Sequence, residues 1–143
     1  MSQIRKLLSL HEGRVPYAYK DSLGFLTIGT GHLIDKAKGG GLPEHIIDAL
    51  LDHDIAEHAQ RLKRVAPWAD QLDEVRYAVL LDMTFNLGSL AGWPIFLGQV
   101  SAGNYMDAAA NMRSAKWAGQ VGVRAVRLAR MMETGAWPAD MPK

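Results

Sequence analysis

The sequence predicts an α+β chain, mostly helical and two-lobed: a small N-terminal β-hairpin lobe over about 1–42, a long connecting helix over about 43–65, and a C-terminal helical lobe over about 70–143. Three observations predict it. A short aromatic strand pattern, Pro16-Tyr17-Ala18-Tyr19-Lys20, is joined by turn residues to a partner, Phe25-Leu26-Thr27-Ile28. A run from Pro43 to Val65 keeps its apolar residues on one helical face. Every periodic segment after Asp73 has the helical repeat. At 143 residues and 48% hydrophobic content the chain can build one sizeable core, so the lobes are read as parts of a single domain.

Taken in order, Ser2 reads as the cap of a first helix with Ile4, Leu7, Leu8 and His11 at helical spacing, and Gly13 as its stop. Pro16 confines the following strand to a strand start or an edge. Asp21-Ser22-Leu23-Gly24 is a turn, with Asp at its start and Gly where φ > 0 is wanted. A turn that pairs residue 21 with 25 also pairs 19 with 27. Side chains alternate along a strand, so Tyr19, Asp21, Phe25 and Thr27 then share one face. Lys36 to Gly41 reads as a flexible polar loop. Pro43 is placed to open the long helix, about 22 residues and roughly 33 Å, that Pro67 ends. Its stripe is Ile46, Ile47, Leu50, Leu51, Ile55 and Leu62. Asp73 caps a helix from Glu74 to about Leu87 that is apolar almost all round and belongs in a core. Further helices are predicted at Pro94–Val100, about Asn104–Ala115 and about Val121–Glu133, with Gly135 as the last stop.

The net charge of +1 demands no nucleic-acid or membrane partner. No acidic residue lies between Asp107 and Glu133, whereas Arg113, Lys116, Arg124, Arg127 and Arg130 do. That run reads equally as a patch for an anionic polymer or as an ordinary exposed helix face. The absence of cysteine excludes a disulfide framework and Cys-ligated zinc. Neither a signal peptide nor the ~20 apolar residues of a membrane span is found, which places the protein in a cytoplasm. His53, Asp54, Glu57 and His58 put His and carboxylate at helical spacing, but a solvated charged face is the stronger reading and no metal is expected. No cofactor is expected either.

The chemistry concentrates in residues 11–32. Glu12 sits where the first helix runs out, Asp21 ends a strand, and the Thr27 hydroxyl follows on the partner strand. Two carboxyls in unlike surroundings are the minimal kit for acid-catalysed hydrolysis of an acetal. A general acid must keep its proton near neutral pH, whereas an ordinary Glu ionises near about 4.3. A helix C-terminus disfavours negative charge by only about 0.3–1 kcal/mol. Burial would have to supply the larger share. Asp21, among free backbone donors, is the candidate for the ionised partner, and Thr27 could hold a water between them.

The residues Glu12-Gly13, Tyr19-Lys20-Asp21, Gly24, Thr27-Ile28-Gly29 and Gly31-His32 resemble the signature of the phage-type lysozymes, glycoside hydrolase family 24, whose best-known member is the lysozyme of the T-even phages. The likeness continues through Ala78 to Gly88, Ala91-Gly92-Trp93, Ala108 to Asn111, Lys116-Trp117, Arg124-Ala125 and Thr134 to Trp137. It implies a lysozyme-like fold and an endolysin, a muramidase that cuts the β-1,4 bond between N-acetylmuramic acid and N-acetylglucosamine in peptidoglycan. Glu12 would be the general acid, with Asp21 and Thr27 positioning the attacking water for inversion. Saccharide contacts map onto Leu33, Phe85, Phe96 and Asn111, with Trp117 nearby. Arg124 falls where the family places an arginine beside the catalytic Glu, a cation that burial must outweigh or that must loosen when substrate binds. Trp93 and Trp137 are expected in core packing.

The resemblance also implies a monomer acting on glycan strands. It would wait in the host cytoplasm until a separate holin-type membrane protein lets it reach the wall. Two departures are visible. The stretch between His32 and Pro43 is shorter than in the T-even enzyme, and Asn86 and Phe96 differ in type from its residues there. A catalytically silent peptidoglycan-binding module and a lytic transglycosylase are the alternative readings.

Overall fold

The computed structural model describes residues 2–142, which form seven α-helices and a three-stranded sheet. The chain divides into two compact units, residues 1–50 and 51–143. The boundary falls inside the long helix, between Leu50 and Leu51.

In the first unit, α1 (Gln3–Glu12) ends where Gly13 takes φ 78° and donates its N–H to the Ser9 carbonyl at 2.9 Å. Ser2 occupies the capping position, but its side chain makes no capping bond. No residue of α1 is buried, and Ile4, Leu7 and Leu8 stay exposed. The antiparallel sheet has the order β1 (Val15–Lys20), β2 (Leu26–Gly29), β3 (His32–Leu33). Tyr19 pairs with Thr27 and Lys20 with Leu26, the register read from the turn. The pairing is irregular between Val15 and Tyr19, an interval that contains Pro16 and its missing donor.

Strand β3 has no counterpart in the sequence pattern, since two residues are too few to show an alternation. It returns along β2, with Thr27 opposite Leu33. The segment after it is a pinned turn rather than a flexible loop. Asp35 Oδ1 accepts from Ala37 N at 3.0 Å, and Asp35 Oδ2 accepts from Leu26 N at 3.2 Å. Gly40 lies so close to the Leu33 carbonyl that a Cβ there would sit 2.7 Å from its oxygen.

Helix α2 (Glu44–Val65) starts on the Pro43 carbonyl, which accepts from Ile46 N and Ile47 N at 2.9 and 3.2 Å. Of its expected stripe only Leu62 is buried, because that end of the helix meets the main core. That core belongs to the second unit. It is built by α3 (Glu74–Leu87), α4 (Pro94–Ser101), α5 (Tyr105–Ser114), α6 (Lys116–Val121) and α7 (Val123–Thr134). Val79, Leu80, Met83, Leu90, Val100, Met112 and Met132 are fully buried within it, and α5 packs along α7. The sequence pattern predicts no helix over 116–120 and opens the last one at 121. The chain instead forms a six-residue α6 and breaks at Gly122, whose φ of 59° only glycine adopts at little cost.

One side chain ties the two ends of this unit together. Arg76 Nε donates to the Met132 carbonyl at 2.7 Å and Nη2 to the Glu133 carbonyl at 2.9 Å, satisfying the open end of α7. The guanidinium carbon lies 3.8 Å from the Tyr105 ring centroid, and Nη1 meets Asp73 at 3.1 Å. Burial pushes the Asp73 carboxyl up, but the bonds from the Arg76 backbone and side chain outweigh it and hold the carboxyl below its usual range. Gly135 is where the helix stops, at φ 65°, and any side chain there would meet Arg76 Nη1 at 2.8 Å. Arg76→Ala should therefore cost about 2–3 kcal/mol in urea unfolding, with Arg76→Lys recovering little, because a point charge cannot serve two carbonyls and stack on a ring. A loss under about 0.5 kcal/mol, the range of ordinary surface changes, would contradict this role.

Candidate active site

Asp21 is held by the turn it opens. Its Oδ1 accepts from Leu23 N and Phe25 N, both at 2.9 Å, while Asp21 N donates to the Phe25 carbonyl at 2.9 Å. Oδ1 is thus committed to the backbone, and Oδ2 has no hydrogen-bond partner among the described residues. Thr27 lies two residues beyond Phe25 on β2 and faces the same side as Asp21. Only 4% of Thr27 is exposed. Its hydroxyl donates to the Phe25 carbonyl at 3.0 Å, which leaves the oxygen able only to accept. A water placed between Asp21 Oδ2 and Thr27 Oγ1 would therefore give both its hydrogens to the protein and keep a lone pair free.

Glu12 is the last residue of α1 and is exposed. Its side chain lies across the backbone of Gly31, in the turn between β2 and β3. A Cβ on Gly31 would come 3.0 Å from Glu12 Oε2 and 3.1 Å from Cδ. Gly31 also has φ 71°. The sequence displays Gly31 in its motif without revealing this function as the seat of the carboxyl. Beside it, His32 Nε2 donates to the Gly41 carbonyl at 2.6 Å.

The six residues expected to touch saccharide are treated differently by the structure. Leu33 is half-buried on β3. Phe85 is 38% exposed, and its ring centroid lies 4.7 Å from that of His58, whose Nδ1 donates to the Asp54 carbonyl. Asn111 is half-buried, donates to Gln99 Oε1 at 3.2 Å and lines a cavity of about 450 Å³ with Trp93 and Ile95. Phe96 is 1% exposed, a core side chain, although the residue also lines the cavity beside Asn111. It packs edge-on against Trp93, which also meets Trp117 at 5.7 Å. Trp117 is itself buried, and its Nε1 donates to Asn86 Oδ1 at 2.9 Å, a pairing 31 positions apart that no sequence spacing announces. Arg124 donates through Nε to Asp82 Oδ1 at 2.8 Å, so its ion-pair partner lies within its own unit.

Trp93 does pack against the core, whereas Trp137, also expected there, is 44% exposed. On α2, Glu57 is claimed by Arg61 at 2.9 Å, whose hydrogen bond and charge hold its carboxyl below the usual range. His53 and Asp54 present their ligating atoms near it, all within 4.8 Å, on an exposed helix face. His58 turns the other way.

The chain is thus a mostly helical α+β protein with one small antiparallel sheet, one carboxyl ending its first helix and another opening its hairpin turn. The model of the phage lysozyme family matches residues 9–133, and the chain belongs to that family. It is 25% identical over 163 aligned positions to "Probable T4-type lysozyme 1" of Dictyostelium discoideum, covering 94% of this chain and 96% of the relative. The alignment is longer than the chain's own 143 residues, so that relative carries insertions that this chain lacks. Family membership supports lysozyme-type hydrolysis of peptidoglycan by a glycoside hydrolase.

Gly31→Ala should lower wall-lysing activity by about tenfold or more, since displacing a reacting group by about 1 Å can cost some 10²-fold. The variant should still fold, with a stability loss of about 1–2 kcal/mol for alanine held at positive φ. Full activity in a folded Gly31→Ala protein, read by turbidity of a wall suspension, would remove Gly31 from the site.

Proposed function

We propose that this chain is an endolysin-type muramidase that hydrolyses the β-1,4 bond between N-acetylmuramic acid and N-acetylglucosamine with inversion at the anomeric carbon. Glu12 protonates the leaving oxygen, and Asp21 with Thr27 holds the water that attacks from the opposite face. The observation that carries this reading is the hydrogen bonding of Thr27. Its proton is spent on the Phe25 carbonyl, so its oxygen is left to accept, as is Asp21 Oδ2, and the reading assigns one water to the two acceptors. Asp21 Oδ1, doubly engaged by backbone donors, is a poor nucleophile of its own. Water activation rather than a covalent glycosyl-enzyme is the route this reading adopts, with Thr27 as the second acceptor for the water. Glu12 is exposed, so the glycan strand itself is what excludes water from it on binding.

In this reading Phe85, Asn111 and Leu33 remain the candidate saccharide contacts, since each keeps some surface. The biological role is lysis of a bacterial host, the enzyme being held in the host cytoplasm as a monomer and reaching the wall through a holin-type membrane protein. Among the described residues no helix is long and apolar enough to cross a membrane.

Glu12→Gln should remove nearly all lytic activity, about 10²–10⁴-fold, while leaving the unfolding curve unchanged. Asp21→Asn is a second probe, because an amide oxygen can still accept the two turn bonds. It should keep the hairpin and lose activity, whereas Asp21→Ala should lose activity and also about 1–2 kcal/mol of stability. Mass spectrometry of the released muropeptides completes the test. Hydrolysed reducing ends are expected; 1,6-anhydro ends, lighter by one water, would make the enzyme a lytic transglycosylase, and binding without release would make it a silent module.

A further inference from the structure

A sizeable cavity lies far along the chain from the catalytic motif, in the second unit. It is a groove of about 510 Å³ between α7 and the segment that follows it, within the usual range of ligand pockets, about 300–1,000 Å³. Its walls combine three features. Trp137 lines it, is 44% exposed, and also lines a second cavity of about 310 Å³. An indole left this exposed costs apolar burial that core packing would have supplied. Arg127 pairs with Asp140 across the groove through Nε at 2.8 Å, which sets a donor and an acceptor side by side. Arg130 lines the same groove, is exposed, and forms no salt bridge among the described residues. Glu133, one turn on, is taken by Arg113.

We propose that this groove is a second peptidoglycan-binding site, in which Trp137 stacks on an amino-sugar ring and Arg130 pairs with a carboxylate of the acidic peptide that the sugar bears. The proposal rests on the reading that peptidoglycan is the substrate. The fit is one of charge and shape. A pyranose offers an apolar face to an indole and hydroxyls to a paired Arg and Asp, and the peptide supplies the negative charge that Arg130 lacks. The groove's apolar rim, Val123 and Val126 at 62% and 66% exposure, would be covered by the same strand. The function is to keep the enzyme on an insoluble polymer between cuts, which raises the local concentration of bonds at the catalytic unit.

The test is co-sedimentation of the full chain, as its Glu12→Gln form, with purified sacculi on ice. Arg130→Glu should weaken binding by about tenfold, the scale of one lost charged hydrogen bond, and Arg130→Lys should restore part of it. Sacculi with amidated carboxyls should bind the Arg130 protein no better than native sacculi bind the Arg130→Glu variant. Unchanged binding by Arg130→Glu overturns the second site alone, since the assay reads attachment and not cleavage. Failure of the Glu12→Gln protein to sediment at all overturns the peptidoglycan reading as well. Arg130-dependent binding to anionic phospholipid vesicles, with sacculus binding unaltered, would assign the groove to a lipid surface and overturn the proposal.

Discussion

The two backbone N–H groups that converge on Asp21 Oδ1 are the constraint from which the candidate site follows. They close the turn at Leu23 and Phe25, and the closed turn sets β1 against β2 so that Tyr19 meets Thr27. The same bonds leave Oδ2 without a partner among the described residues. Register and the proposed chemistry are therefore linked: a slip by a single residue would turn Thr27 to the other face, away from Asp21. The hairpin is then extended by β3 and tied back through Asp35 to Leu26, which brings Gly31 to the position that Glu12 occupies.

The two units are stabilised in different ways. Among the described residues from 2 to 50, Thr27 alone is buried, so the reactive unit holds its shape by hydrogen bonds and tight glycine turns. The second unit has the apolar core, and it spends its polar contacts on closing helix ends, as Arg76 does for α7. The proposed site, which would have to grip and release a polymer, lies in the unit with fewer buried residues, where local opening leaves the core intact.

Much of this is legible in the sequence. Turn chemistry is local, so Asp21 and Gly24 are enough to derive the hairpin register, and proline, aspartate and glycine bound α2 and α3 within a residue or two. What escapes depends on contacts between distant residues. Strand β3 is too short for a pattern, and α6 ends only because Gly122 changes hand. The seating of Glu12 on Gly31 and the pairing of Trp117 with Asn86 have no signature in spacing. Phe96 and Trp137 show the limit of residue type: the first is expected on a ligand surface and lies in the core, and the second is expected in the core and lies open.

The stereochemistry of the first product tests the assignment of Asp21 and Thr27 to a water most directly. Time-resolved proton NMR on a soluble glycan fragment separates the anomers of the new N-acetylmuramic acid end before they equilibrate. Initial appearance of the α-anomer is expected from single displacement by a water that Asp21 and Thr27 hold. Initial appearance of the β-anomer would mean a covalent or otherwise retaining route, and would contradict a water-positioning role for the Thr27 hydroxyl.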